Sequence, residues 1–128
     1  MNIQSKFLVF GNYCCLLWCY CRLTGISIMQ VFEDFEALVK DKILDNECTV
    51  LDADKLIRRY GVKNKLVVKA EKNPHRGEQA ARFTYVDDKN KSHSHWVIVD
   101  DNDNVMDNSL DFSNCVARGK IDSYRAIV

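Results

Sequence analysis

Proline is nearly missing from this chain: Pro74 is the only one. That leaves little room for proline-rich linkers or recognition segments. Neither sign of charge is in excess, with 18 basic against 18 acidic side chains. No stretch is densely basic, so electrostatic binding to nucleic acid is not expected. There is no internal repeat and no low-complexity segment. A long uninterrupted apolar run is also lacking. The longest, Phe7 to Cys21 behind Lys6, is broken by Gly11-Asn12 and ended by Arg22. It is too short to span a bilayer comfortably, and no small-residue cleavage site follows it. A cytoplasmic location is therefore expected over secretion, with no membrane partner.

What is present is enough for one domain. The 128 residues are 47% hydrophobic and 10% aromatic, sufficient to bury a core without disulfides or metal. Cysteine is the abundant exception. Four of the six, Cys14, Cys15, Cys19 and Cys21, crowd into one short stretch, and Cys48 and Cys115 are the others. Such clustering on one helix reads as buried thiols in a reducing compartment rather than as a disulfide framework.

The chain divides into a helical first half and a strand-rich second half. A helix is predicted from about Cys14 to Leu23, stopped by Gly25. It is apolar nearly all round, as a central buried helix should be. A second helix is predicted after Ser27, running to about Leu44, with Met29, Phe32, Leu38 and Ile43 at helical spacing. Cys48–Leu51 reads as a short extended piece. Asp52 caps a third helix, Ala53 to Tyr60, which Gly61 ends. The period then changes to two. Strands are predicted at Leu66–Lys69, Ala81–Val86, His95–Val99, Val105–Asp107 and Ser123–Val128, with Glu71–Gln79 as a mobile loop. Phe7–Phe10 is a further β-prone piece. Helices first and antiparallel strands after make an α+β fold.

The chemistry-bearing residues follow from this layout. Cys15 stands at the start of the first helix, where unpaired N–H groups favour thiolate over thiol. His95 opens a strand, and Asp107 ends the next one. A tight turn at Asp101–Asn104 makes the two strands antiparallel, so that Asp107 is expected near His95 across the pair. Cys15, His95 and Asp107 are then a nucleophile, its base and the base's orienter. The bland alternative is a polar hairpin with no function. His93 is a rival base, two residues earlier on the same strand face. His75 reads as surface.

The order Tyr13-Cys14-Cys15, then His95-Trp96-Val97-Ile98-Val99, then Asp107 resembles the papain-like cysteine peptidase superfamily. The closer likeness is to short bacterial and phage members: bacteriocin-leader peptidases, cell-wall NlpC-type enzymes and a phage-associated group with a Tyr-Gly-Cys signature. Cys14 takes the place of that glycine, and Asn108 stands where proline is common after the acid. The resemblance covers most of the chain. It implies a papain-like fold, with N-terminal helices packed on a C-terminal antiparallel sheet. It implies a peptide or protein substrate and no cofactor. It also implies an oxyanion glutamine upstream of the cysteine, where this chain has Val9. Gln4 is too far upstream, and Asn12 is the weak candidate for that role. Loss of one oxyanion donor typically costs about 10²–10³-fold in turnover.

Two other readings stand beside this one. Cys14, Cys15, Cys19, Cys21, His93 and His95 offer soft ligands, but an apolar helix lacks the paired knuckles of a structural zinc site, and no metal is expected. A papain-like scaffold that has lost turnover and binds a partner protein is the other. Val9 and Cys14 both point a little that way. The oligomeric state is not legible in the sequence.

Overall fold

The computed structural model describes residues 14–107 and 114–128. The predicted lead-in strand at Phe7–Phe10 and the oxyanion candidate Asn12 lie outside the described residues.

The first helix, α1 (Cys15–Thr24), ends where the sequence says it should. Gly25 takes a left-handed conformation (φ 78°) and its N–H returns to the Cys21 carbonyl at 2.9 Å. The predicted second helix is two short ones, α2 (Ile28–Glu33) and α3 (Phe35–Lys40). The break falls at Asp34. Its carboxylate accepts from Gln30 Nε2 and from the Tyr60 hydroxyl, the latter at 2.8 Å. A short polar side chain bonded sideways competes with helix continuation. Leu44 then forms a single bridge to Val50. Asp52 caps α4 (Ala53–Arg59) by accepting from the Lys55 N–H at 3.0 Å.

The second half is a five-stranded sheet. Its strands are β1 (Val67–Ala70), β2 (Gln79–Val86), β3 (Ser92–Val99), β4 (Val105–Asp107) and β5 (Lys120–Ile127). The spatial order is β1-β5-β2-β3-β4 and every pair is antiparallel. The expected α+β architecture is therefore present, with the cysteine helix packed on the C-terminal sheet. One short helix, α5 (Cys115–Arg118), was not foreseen.

Strand alternation gives the sheet two apolar faces. On one, Ala80 and Ile98 meet Cys19, with Leu16, Leu23 and Trp96 alongside. This is the α1 face. On the other, Ala81, Phe83, Val97, Val99 and Tyr124 meet Cys115 of α5. A further core, built on Leu17, Tyr20 and Cys21, joins α1 to α2, α3 and α4.

The segment 71–79 is tied down rather than loose. Gln79 is fully buried. Its Nε2 donates to Asn73 Oδ1 at 2.6 Å and to the Asp100 carbonyl at 3.1 Å. Asn73 Nδ2 donates in turn to Asp103 Oδ1 at 2.8 Å. Buried amides are retained where every polar atom finds such partners.

Candidate active site

β3 brings the candidate residues to one edge of the sheet. It pairs with β2 in unbroken register, Phe83 opposite His95 and Arg82 opposite Trp96. On its other side, among the described residues, β4 pairs at Ile98 and Val99. Backbone N–H groups of an antiparallel strand point alternately to its two sides. Two residues along from Ile98 on this outer edge, the Trp96 N–H points away from the sheet and donates to Cys15 Sγ at 3.4 Å. The sulfur thus takes a place that a neighbouring strand's carbonyl would fill.

This contact puts Cys15 beside His95. The peptide nitrogen that meets the sulfur is bonded directly to the carbonyl carbon of His95. Standard backbone geometry then holds Sγ within roughly 6 Å of the His95 Cα, which is within the span of an imidazole side chain. His95 itself is completely buried. It shares the strand face of Val97 and Val99, the face on which Cys115 packs.

Cys15 is a protonated thiol at neutral pH. It is 5% exposed. Burial pushes its pKa up to about 11, and the nearby Cys115 sulfur adds a little in the same direction. The backbone amides of Trp96, Leu16 and Cys15 pull the other way, in that order. The helix-start effect expected from sequence is therefore real, but desolvation outweighs it. Cys19 is more deeply buried and its pKa lies well above the ordinary value, chiefly through desolvation.

Asp107 stands elsewhere than expected. It lies opposite Ile98, not His95. Directly opposed residues of an antiparallel pair share a face. Asp107 therefore projects with Ile98 onto the α1 face, whereas His95, three positions away in an alternating strand, projects onto the other. Its Oδ2 accepts from Trp18 Nε1 at 3.2 Å and lies 3.5 Å from Arg22 Nη1. Arg22 also pairs with Glu78 at 2.8 Å. Asp107 thus ties α1 to the sheet edge. The physical reason for the difference is a register shift between Ile98 and Val99 in the short β3–β4 pairing.

The other candidates separate as well. His93 Nε2 is 2.9 Å from Asp87 Oδ2, and its ring stacks on Tyr85 with centroids 4.7 Å apart. That contact holds the Asp87 carboxyl below its ordinary pKa. Trp96 lies on the α1 face under the guanidinium groups of Arg125, at 4.8 Å, and Arg82, at 5.6 Å. His75 is exposed. All six cysteines are buried and outside any disulfide. Among the described residues, no group of three or more His, Cys, Asp or Glu side chains is placed to hold a metal ion. Among the same residues, no helix is long and apolar enough to cross a membrane.

Sequence reasoning missed the residues at the far end of the sheet. Arg118, on the unforeseen α5, lies over the Tyr85 ring at 4.3 Å and donates to its hydroxyl at 3.1 Å. Nothing local in the sequence signals this stack, because its members come from α5, β2 and β3.

The comparisons with known proteins add one finding. A family model described as "Protein of unknown function, DUF261" matches residues 3–128. No curated protein and no solved structure matches the chain.

Proposed function

The chain belongs to the DUF261 family, whose description assigns no activity, and from the geometry of the site we propose that it is a papain-like thiol enzyme acting on a peptide or isopeptide bond, with Cys15 as nucleophile and His95 as general base. The observation that carries this reading is the 3.4 Å contact between Cys15 Sγ and the Trp96 N–H. It draws a cysteine at a helix start to a histidine on a strand, across most of the chain's length. The three backbone amides around the sulfur support it further. They are weak partners for a thiol and strong ones for a thiolate.

In this mechanism His95 removes the Cys15 proton as the sulfur attacks the substrate carbonyl carbon. The protein does not store a preformed thiolate. The carbonyl π electrons move to oxygen, and the oxyanion receives the backbone N–H of Cys15 at the helix start. The imidazolium then protonates the leaving amine as the C–N bond breaks, leaving a thioester on Cys15. Water, deprotonated by His95, attacks the thioester and releases the acid and the thiol. Asp107 acts at a distance, by holding α1 and hence Cys15 against the sheet edge. No step needs a cofactor. Six buried thiols support a reducing, cytoplasmic setting.

A second reading is favoured by the burial of Cys15. A sulfur 5% exposed, with its pKa pushed up to about 11, suits a papain-like scaffold that binds a partner protein without turnover.

Site-resolved alkylation of the folded protein from about pH 5 to 9, read by mass spectrometry, separates the two. Under the enzyme reading Cys15 labels faster than Cys48 and Cys115, and His95→Ala removes that lead. Equal, slow labelling of all three in both proteins rejects catalysis and leaves the binding scaffold.

A further inference from the structure

We infer that the open cavity at the β2–β3–β5 end of the sheet receives an acidic segment of the peptide substrate, an assignment that rests on the Cys15–His95 reading above. The cavity has a volume of about 630 Å³ and is walled by three fixed cations, Arg82, Arg118 and Lys120, against one carboxylate, Asp122. Arg82 already engages Asp122 through Nε at 2.8 Å and Nη2 at 3.2 Å. The charge this pair leaves over belongs to Arg118 and Lys120, both exposed.

Arg118 is set in place before any ligand arrives. Its guanidinium carbon sits 4.3 Å from the centre of the Tyr85 ring, and Tyr85 stacks on His93 with 16° between the ring planes. The Tyr85 hydroxyl takes one of the five N–H donors of the guanidinium. A planar fork fixed in this way is suited to bidentate capture of a carboxylate. The backbone that leads into Lys120 is held by a tight chain crossing. A β-carbon on Gly119 would lie 2.7 Å from the carbonyl oxygens of both Cys115 and Thr84. Only glycine permits that approach, and it delivers Arg118 and Lys120 to the cavity on either side. Ser94 adds a hydroxyl at the rim.

The cavity lies across β3 from the candidate nucleophile, which sits on the strand's outer edge. Ser94 precedes His95 in β3, and Arg82 sits directly across from Trp96, whose N–H meets Cys15. Opposed residues of an antiparallel pair are only about 5 Å apart at Cα. Lys120 on β5 lies two strand spacings beyond β3, so an extended peptide with its reacting carbonyl at Cys15 crosses roughly 15 Å, about five residues, to reach Arg118 and Lys120. Carboxylate side chains there meet two cations. Lysine or arginine side chains there meet repulsion.

The test uses the full chain carrying Cys15→Ala and low salt, where such attractions are least screened. Fluorescent peptides of one length, rich in Glu, in Ser and Gly, or in Lys, are titrated by anisotropy. The Glu-rich peptide should bind about tenfold or more tighter than the neutral one, an attraction of the size that charge complementarity supplies. Arg118→Glu with Lys120→Glu should abolish the preference. Lys63→Glu with Lys65→Glu makes the same change in net charge at a distant groove and should keep it. Arg118→Gln with Lys120→Gln, checked for folding by urea midpoint, covers a failure of the reversed pair to fold. In the chain with Cys15 intact, the Glu-rich peptide should slow Cys15 alkylation. No acidic preference, or equal loss in both charge-reversed pairs, overturns the inference. So does tight binding that leaves Cys15 alkylation unchanged. Failure of the catalytic reading has a separate signature: Cys15 labelling indifferent to His95→Ala while the acidic preference and its dependence on Arg118 and Lys120 persist.

Discussion

The Trp96 amide and the Cys15 sulfur meet at 3.4 Å on the outer side of β3, joining residues 81 positions apart in the chain. This contact does two things at once. It seats the N-terminus of α1 on the sheet, and it carries a thiol to the strand position next to a buried histidine. The same burial that makes the contact possible holds the thiol protonated, so any thiolate chemistry must run through a proton acceptor.

Stability should fall in alkali because the buried thiols resist ionisation. Cys15 is raised from 9.0 to about 11 and Cys21 from 9.0 to about 12, while Cys19 is raised well above 9.0. In the unfolded chain these groups ionise first. The unfolded state therefore sheds protons above about pH 9 while the folded state keeps them, which favours unfolding as pH rises. Each such thiol should cost on the order of 1 kcal/mol per pH unit between its unfolded and folded pKa values. Urea midpoints should be flat at about pH 7 to 8 and drop steeply by about pH 10.5. Cys15→Ala should make that drop shallower, and a midpoint unchanged up to pH 10.5 would contradict the burial argument.

Asp107→Asn tests whether this residue serves α1 or His95. The substitution weakens the bond from Trp18 and removes the charge facing Arg22. With a side chain only 15% exposed, the loss should be roughly 1–2 kcal/mol in urea denaturation. The effect of His95→Ala on Cys15 alkylation should remain intact in the Asp107→Asn background. If Asp107→Asn reproduces the His95→Ala labelling defect with unchanged stability, the carboxylate orients the histidine after all.

Gly119→Ala should be costly although the backbone there is ordinary, with φ −105°. The obstacle is contact with two carbonyl oxygens, not a left-handed conformation. Backbone atoms yield less readily than side chains, so a loss of roughly 1–3 kcal/mol is expected, as for an overpacked core. A melting temperature within a degree of the parent would show that the β2–α5 crossing relaxes easily.

Gln79→Ala should release the segment 71–78. The side chain bonds Asn73 and the Asp100 carbonyl, and its Oε1 accepts from the Arg76 N–H at 3.3 Å. Limited trypsin digestion should cut after Lys72 or Arg76 several-fold faster in the variant, since cleavage follows the population of the open form. Equal cleavage rates would mean that other contacts, such as Gly77 N–H to Asp101 Oδ1 at 2.8 Å, hold the segment alone.

Much of the fold was legible because its signals are local. Gly25 ends α1, Ser27 and Asp52 cap the helices that follow, and alternation marks His95–Val99 as a strand. The break at Asp34 was not legible. It depends on Tyr60, 26 residues away, delivering a hydroxyl to the carboxylate. Nor was α5, only four residues long, below the length at which a periodic pattern can be read. In the candidate site, Cys15 was legible as a residue at a helix start and His95 as a strand residue, although β3 begins at Ser92 and not at His95 as the sequence led one to expect. The position of Asp107 opposite Ile98 was not legible, because one residue of slip in a hairpin moves a side chain to the opposite face.

By itself the sequence determined the α+β order, the buried helix that carries Cys15 and the strand that carries His95. These follow from periodicity and capping, which act within a few residues. Only the tertiary structure decided that Cys15 rests protonated, that Asp107 holds α1 and that Arg118 stacks over Tyr85 beside Lys120. Those outcomes depend on desolvation and on cross-strand register, which exist only once distant segments have packed together.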